Sequence, residues 1–166
     1  LLVLGGGTGS SWINECFAEI AAQLKQEINV IHITGRGKNL DSLRAQGEGY
    51  VAIEYIEDGL EDVFACADVV VARAGMGTIS ELSALNKAAI VVPLPGSAQE
   101  KNAQALEERN VARICFQSQT RSLDLLHEIR LLMQNSEERN RLGAQIGSVL
   151  DTSIADIFIN RITSFL

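Results

Sequence analysis

The chain has 166 residues, enough for one domain with a substantial hydrophobic core. Hydrophobic residues make up 46% and charged residues 21% of the sequence, which excludes a disordered chain. The net charge of −7 and the aromatic content of 5% argue against a nucleic-acid-binding function, which needs a basic surface or stacking side chains. No apolar run reaches the roughly 18 residues that a membrane-spanning helix needs.

Short apolar segments alternate with helical segments along the first two thirds of the chain. The strand predictions are Leu1–Leu4, Asn29–Ile33, Val51–Glu54, Asp68–Ala72, Ala89–Pro93 and Ala112–Phe116. Between them, apolar residues recur at helical spacing, at Ile13, Phe17, Ile20 and Leu24, at Leu82 and Leu85, and at Ala103 and Leu106. This alternation predicts an α/β fold with a Rossmann-like, doubly wound parallel sheet of about six strands flanked by helices.

The last third of the sequence predicts a helical C-terminal end. Amphipathic periodicity covers Leu125–Leu132, Leu142–Val149 and Ile154–Phe165, and Asp151 or Thr152 would cap the last helix. The wide apolar face of that helix would pack on its own domain, on a neighbouring domain or on a second copy of the chain. In the last case the chain would self-associate.

A glycine-rich loop, Gly5–Ser10, follows the first strand and leads into a helix. Glycines there expose backbone N–H groups at the positive end of the helix dipole, which favours a phosphate, and Thr8 or Ser10 could add a hydroxyl. The loop lacks the lysine of ATPase phosphate loops. It fits the dinucleotide fingerprint only loosely, and the second strand ends at His32–Gly35 without the expected acidic residue. A nucleotide-sugar diphosphate loop and a tight turn without a ligand stay open.

A second glycine turn follows the fourth strand. The segment Arg73–Glu81 reads RAGMGTISE, in which Gly75 and Gly77 permit close approach to the backbone. Thr78 lies in the predicted first helical turn, where its N–H and hydroxyl can face an anion. Glu81 either accepts hydrogen bonds from a ribose diol or forms a capping box with Thr78.

A third loop follows the fifth strand, which Pro93 and Pro95 terminate. Gln99 and Asn102 share one face of the next helix, where their amides either bind sugar hydroxyls or cap the helix start. Ligands of open α/β sheets bind at the carboxyl ends of the strands. The three loops together therefore predict a binding site at that edge.

The remaining chemical groups indicate no metal or cofactor. No Asp-x-Asp pair is present, and the acidic pairs at Glu57–Asp58 and Glu61–Asp62 are predicted to be solvated loop residues. His32 is predicted to be a neutral core histidine. Three widely spaced cysteines, Cys16, Cys66 and Cys115, are predicted to be buried free thiols.

Four segments resemble the C-terminal half of the MurG-type glycosyltransferases, members of glycosyltransferase family 28 with the two-domain GT-B architecture. They are GGGTGS with its downstream asparagine, YIED, ADVVVARAGMGTISEL and AIVVPLPGSAQEKNA, in the family's order and over essentially the whole chain. The resemblance implies that residues 1–166 form a single nucleotide-sugar donor-binding domain, with the N-terminal acceptor domain absent. The start at Leu1 without methionine favours an excised domain over a natural split subunit.

The resemblance implies an inverting hexosyltransferase that moves GlcNAc from UDP-GlcNAc to the undecaprenyl-diphosphate-linked muramyl pentapeptide, turning lipid I into lipid II for peptidoglycan. The full enzyme would be cytoplasmic and peripheral to the inner face of the plasma membrane. Its base would come from the missing half, so this domain would bind donor without a catalytic residue of its own. The donor-binding half of a glycolipid synthase, a split glycosyltransferase or a 2-epimerase-like protein stays an alternative, as does a ligand-free α/β domain.

The resemblance also implies a set of donor-binding residues. The first loop would border the diphosphate, Ile56 would lie beside the uracil, Glu81 would hold the ribose hydroxyls, and the two amides would bind the GlcNAc hydroxyls. Arg73 would either contact the donor or support the fold. Ala98 stands where the family commonly has histidine, which weakens the assignment of the sugar. The implied residues are Gly6, Gly7, Thr8, Gly9, Ile56, Arg73, Met76, Gly77, Thr78, Glu81, Gln99 and Asn102.

Overall fold

The computed structural model describes residues 1–38, 43 and 47–150. The strands are β1 (Leu2–Leu4), β2 (Val30–Ile33), β3 (Tyr50–Ile53), β4 (Val70–Ala72), β5 (Ala89–Val91) and β6 (Arg113–Ile114). The helices are α1 (Ser11–Leu24), α2 (Leu60–Cys66), α3 (Met76–Ala84), α4 (Ala98–Glu108), α5 (Ser122–Gln134) and α6 (Ser136–Ile146). The helix predicted over Ile154–Phe165, with its apolar face, lies outside the described residues.

The six strands form one parallel sheet in the order β3-β2-β1-β4-β5-β6. This confirms the predicted doubly wound α/β fold. Five strands are somewhat shorter than predicted, and β3 has the predicted length but begins one residue earlier, at Tyr50. The strand order reverses between β1 and β4, where Leu4 pairs with Ala72. The chain leaves these two neighbouring strands toward opposite faces of the sheet, which opens a crevice at their carboxyl ends.

Two hydrophobic layers cover the sheet. Side chains alternate along each strand, so β1 sends Val3 to one layer and Leu4 to the other. Helices α1 and α5 complete the first layer, and α2, α3 and α4 complete the second. The predicted helix faces are buried at Ile13, Phe17, Ile20, Leu24, Leu82, Ala103, Leu106, Leu125, Ile129, Leu132, Leu142 and Ile146. Leu85 and Val149 are only partly buried.

Two of the three cysteines behave as the sequence predicts. Cys16 and Cys115 are buried and free. Burial raises the pKa of the Cys16 thiol to about 11 and that of the Cys115 thiol to about 12, so both are inert at neutral pH. Cys66 is also free but exposed, so its predicted burial was wrong. It is the last residue of α2, where only Phe64 of that helix is buried.

A buried polar chain runs beneath the first glycine loop. Asn14 of α1 donates from Nδ2 to the Thr34 carbonyl at 3.1 Å, so its Oδ1 is left to face His32 Nε2, also at 3.1 Å. His32 Nε2 must therefore carry the proton, and Nδ1 accepts from the Tyr50 hydroxyl at 2.7 Å. His32 has no exposed surface, and burial lowers its pKa from 6.5 to about 3. The prediction of a neutral core histidine is confirmed.

This burial makes the fold sensitive to acid. Below pH 6.5 the unfolded chain protonates His32 while the folded chain does not until about pH 3. The free energy of unfolding should therefore fall with acidification across that window, by up to about 1.4 kcal/mol per pH unit from this group. Denaturation of the wild type and of His32→Gln at several pH values measures it. His32→Gln should lose this pH-dependent part of the stability, and the exposed His127→Gln control should keep it. The same pH dependence of stability in all three proteins would contradict the assignment to His32.

Candidate functional site

The glycines of the first loop divide into two structural kinds. A Cβ at Gly5 would lie 2.2 Å from the Ser10 nitrogen, and one at Gly9 would lie 2.2 Å from the Thr34 carbonyl oxygen. Gly9 also has a positive φ of 72°. In contrast, a Cβ at Gly6 or Gly7 would meet nothing within 4 Å. Gly5 and Gly9 are therefore required for packing, whereas Gly6 and Gly7 leave open space above the backbone.

The tip of this loop presents free hydrogen-bond donors. The N–H groups of Gly7 and Thr8 donate to no group in the described part of the chain, and both residues are exposed. The Gly9 N–H, which the sequence placed beside a diphosphate, instead donates to the Gly6 carbonyl at 3.0 Å. Ser10 is 3% exposed and its Oγ accepts from the Ile13 N–H at 3.2 Å. The Ser10 hydroxyl, suggested from the sequence as a donor to a ligand, is thus buried, and its oxygen caps α1.

The start of α3 presents a second group of donors. Its N-cap is Gly75, whose lack of a side chain leaves the first turn without a side-chain cap. Ile79 is the first residue whose N–H bonds back, to the Gly75 carbonyl at 2.9 Å. The N–H groups of Met76, Gly77 and Thr78 make no hydrogen bond to the residues described. A helix start in this state favours an anion.

The structure decides between the two roles considered for Glu81. A capping box would need Thr78 as N-cap, but Thr78 lies inside the helix, so that alternative was wrong. The Glu81 side chain is partly buried at the cleft wall, and burial raises its pKa above the ordinary value. Within residues 1–38, 43 and 47–150, no hydrogen bond or ion pair reaches this carboxylate. A partly desolvated carboxylate without a partner is suited to accept bonds from a ligand.

A cleft of about 340 Å³ lies between the glycine loop and α3. This volume is in the range of small-molecule binding sites. Leu4, Ile33 and Leu60 form apolar parts of its wall. Six of the predicted donor-binding residues line it: Gly6, Gly7, Ile56, Gly77, Thr78 and Glu81.

Two larger depressions, of about 380 and 580 Å³, lie at the opposite edge of the sheet and both include Asp68. Asp68 precedes β4, so these depressions face the amino ends of the strands. Ligands of open parallel sheets bind at the carboxyl ends. The smaller cleft is therefore the better candidate site.

The amides that the sequence proposed for sugar binding fix two different loops, Gln99 the third loop and Asn102 the turn after β4. Gln99 Oε1 accepts from the Leu94 N–H at 3.1 Å, and Asn102 Nδ2 donates to the Ala74 carbonyl at 2.9 Å. Neither residue lines the cleft. Each side chain still has one amide group without a bond to the described residues, Nε2 of Gln99 and Oδ1 of Asn102.

Arg73 is buried behind the site. It is 7% exposed, and its guanidinium donates to Ser10 Oγ at 2.6 Å and to the carbonyls of Val92 and Pro93 at 3.1 Å each. These contacts occupy the side chain within the protein. Of the two roles that the sequence left open for Arg73, support of the fold is the one that these contacts favour.

Several residues at the outer wall of the cleft were not among the donor-binding residues predicted from the sequence. Glu54, Tyr55 and Glu57 line it, and the Arg36 guanidinium lies 4.1 Å from the centre of the Tyr55 ring and 3.4 Å from Glu57 Oε1. These wall residues follow β3, so the rule that ligands bind at carboxyl ends would have found them. Glu57, predicted to be a solvated loop carboxylate, is exposed but belongs to this wall.

The described residues form neither a metal site nor a membrane span. There, no group of three or more His, Cys, Asp or Glu side chains is arranged to hold a metal ion. None of the described helices has the length and apolarity to cross a membrane.

The sequence matches the Glycosyltransferase family 28 C-terminal domain over residues 1–155. The chain belongs to this family. Over 161 residues it is 36% identical to the UDP-N-acetylglucosamine--N-acetylmuramyl-(pentapeptide) pyrophosphoryl-undecaprenol N-acetylglucosamine transferase of Clostridium perfringens (strain SM101 / Type A), covering 91% of this chain and 45% of that protein. The protein of the same name from Lachnospira eligens is 31% identical over 167 residues, covering 92% and 47%. The family 28 chain thus spans about half the length of these curated relatives.

Solved structures have the same fold. Acinetobacter baumannii MurG aligns with a TM-score of 0.77 at 23% identity, covering 98% of this family 28 chain and 49% of MurG. The glycotransferase of kitacinnamycin aligns with a TM-score of 0.74 at 22% identity, covering 96% and 42%. The likeness confirms the Rossmann-like architecture expected for half of a two-domain glycosyltransferase.

An added methyl group should have unequal effects at a packed glycine and at an open one. Gly9→Ala should lower the free energy of unfolding by at least about 1–3 kcal/mol, because alanine is strained at this φ and its Cβ meets Thr34. Gly77→Ala is the matched control, since it lies in α3 and its Cβ meets nothing within 4 Å. It should change stability by less than about 1 kcal/mol. Chemical denaturation compares them, and equal stabilities would contradict the division.

Proposed function

We propose that this chain binds UDP-GlcNAc as the donor half of an inverting glycosyltransferase, whose acceptor is the undecaprenyl-diphosphate-linked muramyl pentapeptide. The family and the names of the relatives support this donor and acceptor. One structural observation carries the proposal. The Glu81 carboxylate lies in the same cleft as two sets of backbone N–H groups, from the glycine loop and from α3, and none of these groups has a partner among the described residues.

The free donors suit a diphosphate. The N–H groups of Gly7 and Thr8 come from one side of the strand-order reversal, and those of Gly77 and Thr78 come from the other. Oriented N–H groups in a glycine loop and at a helix start stabilise negative charge without a metal. In an inverting transfer the nucleoside diphosphate gains charge as it leaves, so the same donors would lower the barrier. Met76, whose side chain is 55% exposed, lies at the rim of this group.

The nucleoside would occupy the cleft beyond the diphosphate. Glu81 can accept two hydrogen bonds, which suits the two hydroxyls of a ribose. Ile56 lies on the wall that follows β3 and would meet the base, in part through its backbone. The ribose acid expected at the end of the second strand in dehydrogenases is thus replaced by an acid on α3.

The sugar would lie toward the third loop. Gln99 uses one amide group to fix this loop, and Asn102 uses one to bond the turn after β4. Each retains its other amide group, a donor on Gln99 and an acceptor on Asn102. Such a pair suits sugar hydroxyls. Ala98, which precedes Gln99, stands where the family commonly has histidine. This departure keeps an enzyme that uses another nucleotide sugar as the second candidate.

The acceptor would bind a second half of the protein. The chain spans about half of its relatives, whose named acceptor carries an undecaprenol chain. A polyprenyl acceptor resides in the membrane, whereas a nucleotide sugar is water-soluble. The complete enzyme would therefore act at the inner membrane surface, with the catalytic base and the membrane contacts on the other half.

Replacement of Glu81 tests the donor site. In Glu81→Gln, affinity for UDP should fall by about 10- to 100-fold, the cost of losing hydrogen bonds to a charged acceptor. Titration calorimetry with UDP, UDP-GlcNAc, UDP-glucose and ADP measures this. The exposed Glu108→Gln removes a similar charge elsewhere and should bind as the wild type does. Equal binding of ADP and UDP, or no loss in Glu81→Gln, would overturn the proposal, and a preference for UDP-glucose would favour the second candidate.

An acceptor site and a base on the other half predict that this chain has no transferase activity by itself. The chain alone should bind UDP-GlcNAc but transfer no GlcNAc to a lipid I analogue, because the proposed acceptor site and base belong to the other half. The assay measures labelled lipid II, with a full-length relative as the positive control. Transfer by the chain alone would place the base in this domain.

A further inference from the structure

We propose that Arg73 is a positioning residue, which holds the glycine loop through Ser10 and places a buried positive charge behind the diphosphate without contacting the donor. This inference rests on the proposed function. It differs from direct donor binding by Arg73, because the guanidinium bonds to the protein and only its charge would act on the ligand.

The contacts of Arg73 join three loops. The residue directly follows β4, and its Nη2 donates at 2.6 Å to Ser10 Oγ, which ends the loop after β1. Its Nη1 donates at 3.1 Å to the carbonyls of Val92 and Pro93, which follow β5. Because Ser10 Oγ also caps α1 through the Ile13 N–H, the guanidinium fixes the point where the glycine loop becomes a helix.

The described part of the chain supplies no counterion for Arg73. All three acceptors are uncharged, and no carboxylate in the described ranges lies within 4 Å of the guanidinium. Burial lowers the pKa of Arg73 from its ordinary value, but a guanidinium stays protonated at neutral pH. A buried charge without a counterion is costly. An anion at the loop tip would offset that cost.

The same arrangement explains how an acidic chain could attract a diphosphate. The net charge is −7, and Glu54, Glu57 and Glu81 line the cleft. Carboxylates repel an anionic ligand, whereas a desolvated cation attracts it strongly because the local dielectric constant is low. Arg73 would therefore contribute to the binding of the charged part of the donor and contribute little to the nucleoside.

The test compares a charged with an uncharged ligand. Affinities for UDP and for uridine are measured by calorimetry or ligand-observed NMR in the wild type, Arg73→Lys and Arg73→Gln. Both variants keep a hydrogen-bond donor, but only lysine keeps the charge. Arg109→Gln, which removes an exposed cation at the end of α4, is the control for net charge.

Arg73→Gln should lower the affinity for UDP at least about tenfold more than that for uridine. Arg73→Lys should keep the ratio of the two affinities within about threefold of the wild type, as should Arg109→Gln. An equal loss for both ligands in Arg73→Gln would mean that Arg73 acts only on the fold, and this would overturn the inference. A wild type that binds no UDP would overturn the proposed function as well.

A second variant covers the case in which Arg73→Gln does not fold. Ser10→Gly removes the Oγ that Arg73 holds, yet glycine is a tolerated N-cap and costs only a few tenths of a kcal/mol, so the chain should fold. If Arg73 positions the loop through Ser10, UDP affinity should fall several-fold while uridine affinity stays near the wild-type value. Unchanged UDP affinity in Ser10→Gly would overturn the positioning role.

Discussion

The reversal of strand order between β1 and β4 is the constraint on which the site depends. At this point two neighbouring parallel strands send their helices to opposite faces, which opens a crevice between them. Two helix starts then face one space, and their first N–H groups cannot be satisfied within their own helices. The binding surface is thus a direct consequence of backbone topology, and the side chains around it adjust what it binds.

Glycines allow the backbone to form that surface in two ways. Gly9 and Gly35 both have positive φ and approach each other so closely that a Cβ on either would overlap the other's backbone. This contact brings the glycine loop against the end of β2. Gly7 and Gly77 face open space, and a side chain there would fill volume that a ligand needs. Glycine thus permits close backbone packing at Gly9 and Gly35 and leaves open space at Gly7 and Gly77.

Buried polar groups support the first glycine loop on two sides. In the hydrogen-bond chain from Tyr50 through His32 and Asn14 to Thr34, each group donates to the next. This direction is set because the Thr34 carbonyl can only accept. From the other side, Arg73 bonds to Ser10. No buried side-chain nitrogen or oxygen among the described residues lacks a partner. Such satisfied networks keep a flexible glycine sequence in one conformation, which a rigid set of backbone donors requires.

The sequence by itself determined the fold and the sheet edge at which the candidate cleft lies. Apolar runs such as Ala89–Pro93 need a sheet covered on both faces, and loops after parallel strands share one edge, so local patterns sufficed. The tertiary structure alone decided how individual residues are used. The Gly9 N–H donates within its own loop, and the Arg73 guanidinium donates to Ser10 and two carbonyls. The Glu81 carboxylate has no partner in the part of the chain described. These outcomes depend on which atoms from distant segments come within hydrogen-bond distance, and a linear pattern holds no information on such distances.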